Sequence, residues 1–282
     1  MKPYIELTKP RITWLILMST GIGYVFGGSH SSFNWLLLLH TLMGTALIAS
    51  GTATFNQWYE HKADALMNRT KGRPIPSGLV TPFQAFSWGL LLSVAGFAEL
   101  WLGVNPLTAL SGLFTLVTYL FLYTPMKQQH WHATTIGAVP GAMPPVIGYA
   151  AASGVINWEA AALFAILFVW QFPHFYAIAW MYRDDYAKAS IKMLPVVEPD
   201  GDSTARQILF FSILLIPVSF LPTWLHMTGT VYIVGAAIMG IVFLRAAAKV
   251  VKNRTIPLAR GVLLTSVIYL PVLYGLMLLD QQ

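Results

Sequence analysis

The 282-residue chain is 56% hydrophobic and 10% charged, with a mean hydropathy of +0.62, a composition that excludes an ordinary soluble domain and matches a multi-pass membrane protein. Its lack of cysteine excludes disulfides, thiolate catalysis and cysteine metal centres. A net charge of +6 is compatible in principle with nucleic-acid binding, but the placement of the charges is explained by membrane topology and implies no nucleic-acid partner.

A basic start with Lys2, Lys9 and Arg11 leads into a first apolar segment at 12–28, longer than a usual signal-peptide core and read as a retained helix. Further apolar segments follow at 33–55, 83–104, 106–124, 134–152, 158–180, 208–226, 229–247 and 261–279. They are near the roughly 20 residues that a helix needs to cross the hydrocarbon core. Pro140, Pro144 and Pro145 interrupt the fifth, a break tolerated where it lines a cavity or is buried in protein. If nine spans alternate, one face receives the N-terminus and the segments 56–82, 125–133, 181–207 and 245–260, which together hold all 17 Lys and Arg residues. The opposite face receives none. The basic face is therefore expected to be cytoplasmic, with the N-terminus inside and the C-terminus outside. The chain reads as a single all-α membrane domain over 1–282. With no Ser-rich, acid-poor extension ahead of the first span, it is expected in a bacterial plasma (inner) membrane.

After the second span comes Asn56-Gln57-Trp58-Tyr59-Glu60-His61-Lys62-Ala63-Asp64, followed by Arg69, Thr70, Arg73 and Pro74. If the helix continues beyond Phe55, Asn56, Glu60 and Asp64 recur at i, i+4 and i+8 and share one stripe. Two carboxylates and an amide on one face suit a hard divalent cation such as Mg²⁺, which takes one or two protein carboxylates with phosphates and waters completing its shell. Arg69 and Arg73 are placed to grip phosphate oxygens. The arrangement predicts a diphosphate site. A second polar segment, Tyr182-Arg183-Asp184-Asp185-Tyr186-Ala187-Lys188 through Lys192, lies on the same face of the membrane. If the preceding helix extends, Asp184, Lys188 and Lys192 share a face and Asp185 turns toward its neighbour. Two acidic clusters facing each other invite a reading with two ions.

The first cluster, in the form N-Q-W-Y-E-x-x-x-D-A-L-M-x-R-T-x-x-R-P, resembles the aspartate-rich first motif of the UbiA-type intramembrane prenyltransferases, and most closely their protohaem IX farnesyltransferase (haem O synthase) members. Leu7-Thr8-Lys9-Pro10-Arg11, Tyr123-Thr124-Pro125-Met126-Lys127, Gly137 through Pro145, Gln171-Phe172-Pro173-His174-Phe175, and Asp185-Tyr186 through Pro195 add to the resemblance. The landmarks span residues 7–195. Beyond them the match lies mainly in hydrophobic pattern. Two departures stand out: Tyr182 occupies a position where many relatives carry aspartate, and Lys127 is followed by Gln128 rather than by the usual second base.

The resemblance implies nine transmembrane helices around a central cavity, capped by cytoplasmic loops and open to membrane lipid. It implies transfer of a farnesyl group from farnesyl diphosphate to a vinyl group of haem b, water supplying a hydroxyl, to give haem O and diphosphate. A downstream haem A synthase or terminal oxidase assembly would consume the product. In this chemistry Asn56, Glu60, Asp64, Asp184 and Asp185 would hold Mg²⁺ and act as the catalytic set. Arg69, Arg73, Lys127, Lys188 and Lys192 would contact the diphosphate, whose departure concentrates charge on phosphate oxygens. Trp58, Tyr59, Tyr123, Trp180 and Tyr182 offer ring faces to the developing allylic cation, although an interfacial aromatic belt explains such rings equally. Tyr123, Tyr182 and His174 are the candidates for the haem or acceptor side. For His174, iron ligation, orientation of a polar group, and a bond to a carbonyl freed by Pro173 all stand open. Glu99, Glu159 and Asp280 lie away from this site and are excluded. A related prenyltransferase acting on an aromatic acceptor such as 4-hydroxybenzoate is the nearest alternative. A transporter is the more distant one, opposed by acids that cluster at the membrane surface rather than at its midplane.

Overall fold

The structure is a computed structural model and describes residues 1–28 and 33–282. Its helices are α1 (Lys2–Leu7), α2 (Pro10–Gly27), α3 (Trp35–Leu66), α4 (Pro82–Gly103), α5 (Pro106–Val117), α6 (Thr124–Met126), α7 (Ala133–Gly141), α8 (Met143–Ser153), α9 (Trp158–Met181), α10 (Arg183–Lys188), α11 (Leu194–Val197), α12 (Asp202–Val218), α13 (Leu221–Trp224), α14 (Thr230–Lys252) and α15 (Ile256–Leu279). No strand occurs among the described residues. Seven helical segments are long and apolar enough to cross a membrane: α3, α4, α5 with its continuation to Met126, α9, α12 with α13, α14 and α15. The two other expected spans deviate for local reasons. The first, α2, is 18 residues long and opens on the polar Pro10-Arg11 pair. The fifth is split at Ala142 into α7 and α8, as its prolines predict.

In lipid every backbone amide needs a partner inside the protein, and helix ends leave several without one. Three helices that start on the face without Lys or Arg solve this with asparagine. Asn34, Asn105 and Asn157 accept from the amides of Leu37, Thr108 and Ala160. The Asn105 amide also donates to Ala150 O at 3.1 Å and so ties α5 to α8. On the basic face, α4 opens with a reciprocal capping box between Thr81 and Gln84. At the α7/α8 break, the Gln171 amide from α9 reaches Ala138 O at 3.1 Å. The fourth span contains a π-helical turn, Thr118–Tyr123, between α5 and α6.

Packing follows small residues and aromatic rings. Helices α2 and α8 touch backbone to backbone: a Cβ on Gly23 would collide with Pro145 O, and one on Gly148 would collide with Thr20 O. Such contacts hold membrane helices together where no hydrophobic force acts between them. The largest core joins α9, α12, α14 and α15 around Phe172, Tyr176, Tyr232, Phe243 and Tyr269, with Phe172 stacked on Phe211 at 3.8 Å. Several expected boundaries move: α3 runs on to Leu66, α14 to Lys252, α12 begins at Asp202 and α15 at Ile256. Amphipathic helical turns extend each span past its apolar stretch.

Gly148→Ala should force α2 and α8 apart and destabilise the protein by about 1–3 kcal/mol or more. Gly275→Ala, where an added Cβ meets nothing within 4 Å, should be neutral or slightly stabilising. Thermal unfolding in detergent distinguishes the pair. Equal midpoints for the two variants would contradict the packing described.

Candidate active site

The 32 residues of α3 make a helix about 48 Å long, well beyond the roughly 30 Å hydrocarbon core. Its last turns carry the expected stripe. Asn56, Glu60 and Asp64 are 2%, 6% and 1% exposed, so three polar groups on one helix face are buried together. Each is paired with a cation from a different element. The Lys9 ammonium, between α1 and α2, donates to Asn56 Oδ1 at 3.0 Å. Lys127, after α6, donates to Glu60 Oε1 at 2.9 Å. Arg73 donates to Asp64 Oδ2 at 2.6 Å.

Local structure sets each cation in place. Lys9 takes a left-handed conformation with φ of 49°, which a non-glycine residue adopts only at an energetic cost. Gln57, adjacent to Asn56, anchors that turn by donating its amide to Leu7 O at 2.8 Å. The chain after α3 curls back because the Thr70 hydroxyl donates to Asp64 O at 2.9 Å, which brings Arg73 over the carboxylate. The Lys127 ammonium lies 4.4 Å from the centre of the Tyr123 ring.

Electrostatics reflect the crowding. Burial lowers the Lys9 pKa, Arg73 and Lys127 add to the effect, and Glu60 and Asp64 oppose it, leaving it at about 7. For Lys127 burial also acts downward, but Glu60, with smaller help from Tyr123 and Tyr119, outweighs it and holds the ammonium well above its usual range. Two buried atoms in the cluster have no partner: Asp64 Oδ1 and Asn56 Nδ2. A buried carboxylate oxygen that accepts nothing costs on the order of 1–3 kcal/mol, and it is a ready position for a cation. The donor set of two carboxylates and an amide is oxygen-rich, as Mg²⁺ requires.

The second motif is arranged differently from its sequence expectation. Helix α9 ends at Met181, α10 spans only Arg183–Lys188, and Ser190 turns the chain with φ of 55°. Asp184, Lys188 and Lys192 therefore do not share a continuous face. Asp184 is 85% exposed, with only Arg183 near it at 3.9 Å. Asp185 is the acid that turns inward: its side chain is 13% exposed and 3.7 Å from Lys188, and its Oδ2 accepts from the Arg69 amide at 3.2 Å. The Arg69 guanidinium lies 4.7 Å from the Tyr182 ring centre and donates to Tyr186 OH at 3.1 Å. Lys192 has an exposed side chain, but its backbone amide donates to Lys127 O at 2.9 Å, joining the two loops. The motifs thus meet through Arg69–Asp185, with Lys192 tying the second to the Lys127 loop, rather than through opposed carboxylates. No group of three or more His, Asp or Glu side chains with metal-binding geometry occurs among the described residues.

Other candidates separate from the cluster. His174 Nδ1 lies 2.8 Å from Ser266 Oγ in α15, not on a carbonyl freed by Pro173, and its ring stacks on Trp170. Trp58 packs against Phe55 and Phe86, and Trp180 donates its indole N–H to Arg254 O at 3.0 Å. Both rings therefore serve packing. Glu99 pairs with His40, and Asp280 accepts from the Tyr232 amide. Grooves of ≈ 390 Å³ between α14 and α15 and ≈ 480 Å³ between α3 and α4 lie away from the cluster. Lys9 joins the site without having been expected there. Its signal is the Lys-Pro step at the mouth of the first span, a charge in the short link between α1 and α2.

Comparison with known proteins places the chain. The model of the UbiA prenyltransferase family matches residues 16–268. A protoheme IX farnesyltransferase of Solibacter usitatus is 61% identical, covering 100% of this chain and 99% of its own length. Its counterpart in Koribacter versatilis is 44% identical over 100% and 94% of the two chains. Among solved structures, a digeranylgeranylglyceryl phosphate synthase superposes with a TM-score of 0.80 at 18% identity, covering 99% and 97%. A UbiA homolog from Archaeoglobus fulgidus bound to GPP and Mg²⁺ gives 0.69 at 14% identity, covering 98% and 99%. The two structures share the fold, and the sequence matches carry the assignment: the chain belongs to the UbiA prenyltransferase family, among its protoheme IX farnesyltransferases.

Proposed function

We propose that this membrane prenyltransferase moves the farnesyl group of farnesyl diphosphate to a vinyl carbon of haem b, with a hydroxyl from water, releasing diphosphate and haem O. The names of its close relatives support the substrates. The observation that carries the chemistry is the row of three buried groups on α3, each faced by its own cation. The placement of Lys and Arg supports a cytoplasmic site in a bacterial plasma membrane, with the N-terminus inside and the C-terminus outside. The chain is read as one domain over 1–282.

Asn56, Glu60 and Asp64, with Asp185 across the loop contact, are the groups proposed to hold Mg²⁺, and the unpartnered Asp64 Oδ1 gives them an open coordination position. Bound Mg²⁺ supplies Lewis-acid neutralisation of the leaving diphosphate. Arg73 and Lys127 balance the two carboxylates, and Lys9, whose pKa is lowered to about 7 by burial and by those two cations, adds a positive charge that an arriving anion favours. On substrate binding, Arg73 and Lys127 turn from carboxylate to phosphate oxygens, freeing Asp64 and Glu60. Arg69, whose side chain rests against the second motif, and Lys188 of that motif flank the phosphates. Asp184 and Lys192 point into solvent here and are the outermost members of the set. Tyr123, beneath the Lys127 ammonium, offers its ring to the allylic cation as the C–O bond breaks.

On the acceptor side the hydrogen bonds support one tautomer. Ser266 Oγ donates to Leu263 O at 2.6 Å, which leaves it to accept from a proton on His174 Nδ1 at 2.8 Å. The Nε2 lone pair is left free, the form that coordinates haem iron.

Purified protein in lipid, given farnesyl diphosphate, haem b and Mg²⁺, should yield farnesylated haem by mass analysis; prenylation of 4-hydroxybenzoate in place of haem would reject the acceptor. Asp64→Asn should cut turnover at least about a hundredfold with the fold intact by circular dichroism, and near-normal turnover would remove Asp64 from the metal role. For His174, ¹⁵N NMR should report Nδ1–H and bare Nε2, and Ser266→Ala should weaken haem binding about 10–100-fold. An Nε2–H signal in the unaltered protein would take His174 out of the iron-ligand role.

A further inference from the structure

We infer that the groove between α14 and α15 binds the phosphate headgroup of an anionic phospholipid on the membrane face that carries the chain's basic residues. The groove, ≈ 390 Å³, is lined by Arg245 and Lys249 of α14 and by Leu258, Gly261 and Thr265 of α15, among others. It is remote from the diphosphate cluster, and the proposed reaction uses none of its residues.

Charge gives the first argument. Arg245 and Lys249 stand at i and i+4, on one face of α14, where like charges repel. Arg245 and Lys249 have no acidic partner among the described residues, as is also true of Lys252 and Arg260; what sets these two apart is that both line one groove. Both side chains are exposed. The remaining polar side chain is already satisfied: the Thr265 hydroxyl donates to Gly261 O at 2.9 Å. The groove therefore presents cationic donors and calls for an anion that brings acceptor oxygens.

Depth and surroundings identify the anion. Helix α14 ends at Lys252, which puts Arg245 about 10 Å and Lys249 about 4.5 Å down its axis. At that depth aliphatic stems lie along apolar surface while the charged heads rise to the headgroup layer. Deeper along the same faces, Ile241, Ile238 and Val234 of α14 and Ile268 and Val272 of α15 are exposed, an apolar track directly under the two cations. Gly261 keeps the floor open, since an added Cβ there meets nothing within 4 Å. An acidic head above acyl chains matches this vertical order, and basic pockets between transmembrane helices at this level suit such headgroups. A small inorganic anion would leave the track uncovered.

The test is native mass spectrometry of the full chain in detergent, titrated with phosphatidylglycerol and, separately, phosphatidylcholine. The unaltered protein should retain phosphatidylglycerol preferentially. Arg245→Gln with Lys249→Gln should lower that affinity about tenfold or more and leave farnesyl transfer in zwitterionic detergent unchanged, while Lys252→Gln, outside the groove, should retain binding. Gly261→Leu, which keeps both cations and fills the floor, should also lose the lipid, a check that holds even if the double variant folds poorly. Equal retention of both lipids by the unaltered protein, or phosphatidylglycerol binding that survives Gly261→Leu, would overturn the proposal. Displacement of phosphatidylglycerol by haem b mole for mole would overturn it too, by giving the two cations to the acceptor's propionates.

Discussion

The structure is organised by the need to neutralise charge on the C-terminal end of α3. Glu60 and Asp64 are buried carboxylates at the edge of a low-dielectric region, and removing the partner of such a group costs on the order of 3–5 kcal/mol. The pairs reach the carboxylates from two separate loops, and Lys9 reaches Asn56 from a third. Meeting that demand dictates the loops: the left-handed turn at Lys9, the fold-back of Met67–Val80 through Thr70, and the placement of Lys127 after the π-helical turn each deliver one cation. Apolar residues of equal volume would fill the same space at no greater cost. The polar solution makes chemical sense under the proposed reaction, in which each internal ion pair would be exchanged for a metal on one side and a phosphate on the other.

A second constraint, the satisfaction of backbone groups in lipid, explains why the departures from straight helices fall where they do. The broken fifth span is sealed by Gln171 at Ala138 O and by close contact of α8 with α2, so its irregular backbone is buried in protein rather than exposed to lipid. The π-helical turn inserts one residue into the fourth span immediately before Lys127. Such insertions rotate the downstream part of the helix, and are frequent at functional sites. Both irregularities lie one helix away from the α3 stripe.

Much of this was legible in the amino-acid sequence. Apolar length located the seven helical segments long and apolar enough to cross a membrane, and the i, i+4, i+8 spacing located the α3 stripe, because both depend only on local composition and period. The course of the second motif was not legible. Whether α9 ran through Tyr182 depended on Arg69 stacking on that ring and on Trp180 bonding to Arg254 O, tertiary contacts with no local signature. Lys9 was hidden for a related reason: its role rests on Gln57 anchoring Leu7, a contact across 50 positions. His174 stood out in the sequence as an ionisable residue within a span, but its partner Ser266 in the last helix, 92 positions away, had no local signal.

The two motifs differ physically in a way that bears on how the proposed reaction would proceed. The first sits on a continuous helix, so the positions of Asn56, Glu60 and Asp64 are set before substrate arrives and only the facing cations have to turn, which keeps the reorganisation small, as electrostatic stabilisation of a departing anion requires. The second sits on a six-residue helix bounded by Tyr182 and a left-handed Ser190, with no buried residue within it and one inward acid. A short, exposed helix whose outside polar ties come from Arg69 is held by weak, partly solvated contacts, and such elements belong to the low-stability end of a structure. A fixed half and an adjustable half are what a site needs if it must admit a long prenyl diphosphate and then close around its phosphates. Arg69 is then the residue that couples them: its backbone belongs to the first motif, its amide holds Asp185, and its guanidinium rests on Tyr182 and Tyr186. The tyrosine that stands where many relatives carry an aspartate thus has a structural use, since it trades a potential metal ligand for a ring that carries the coupling arginine.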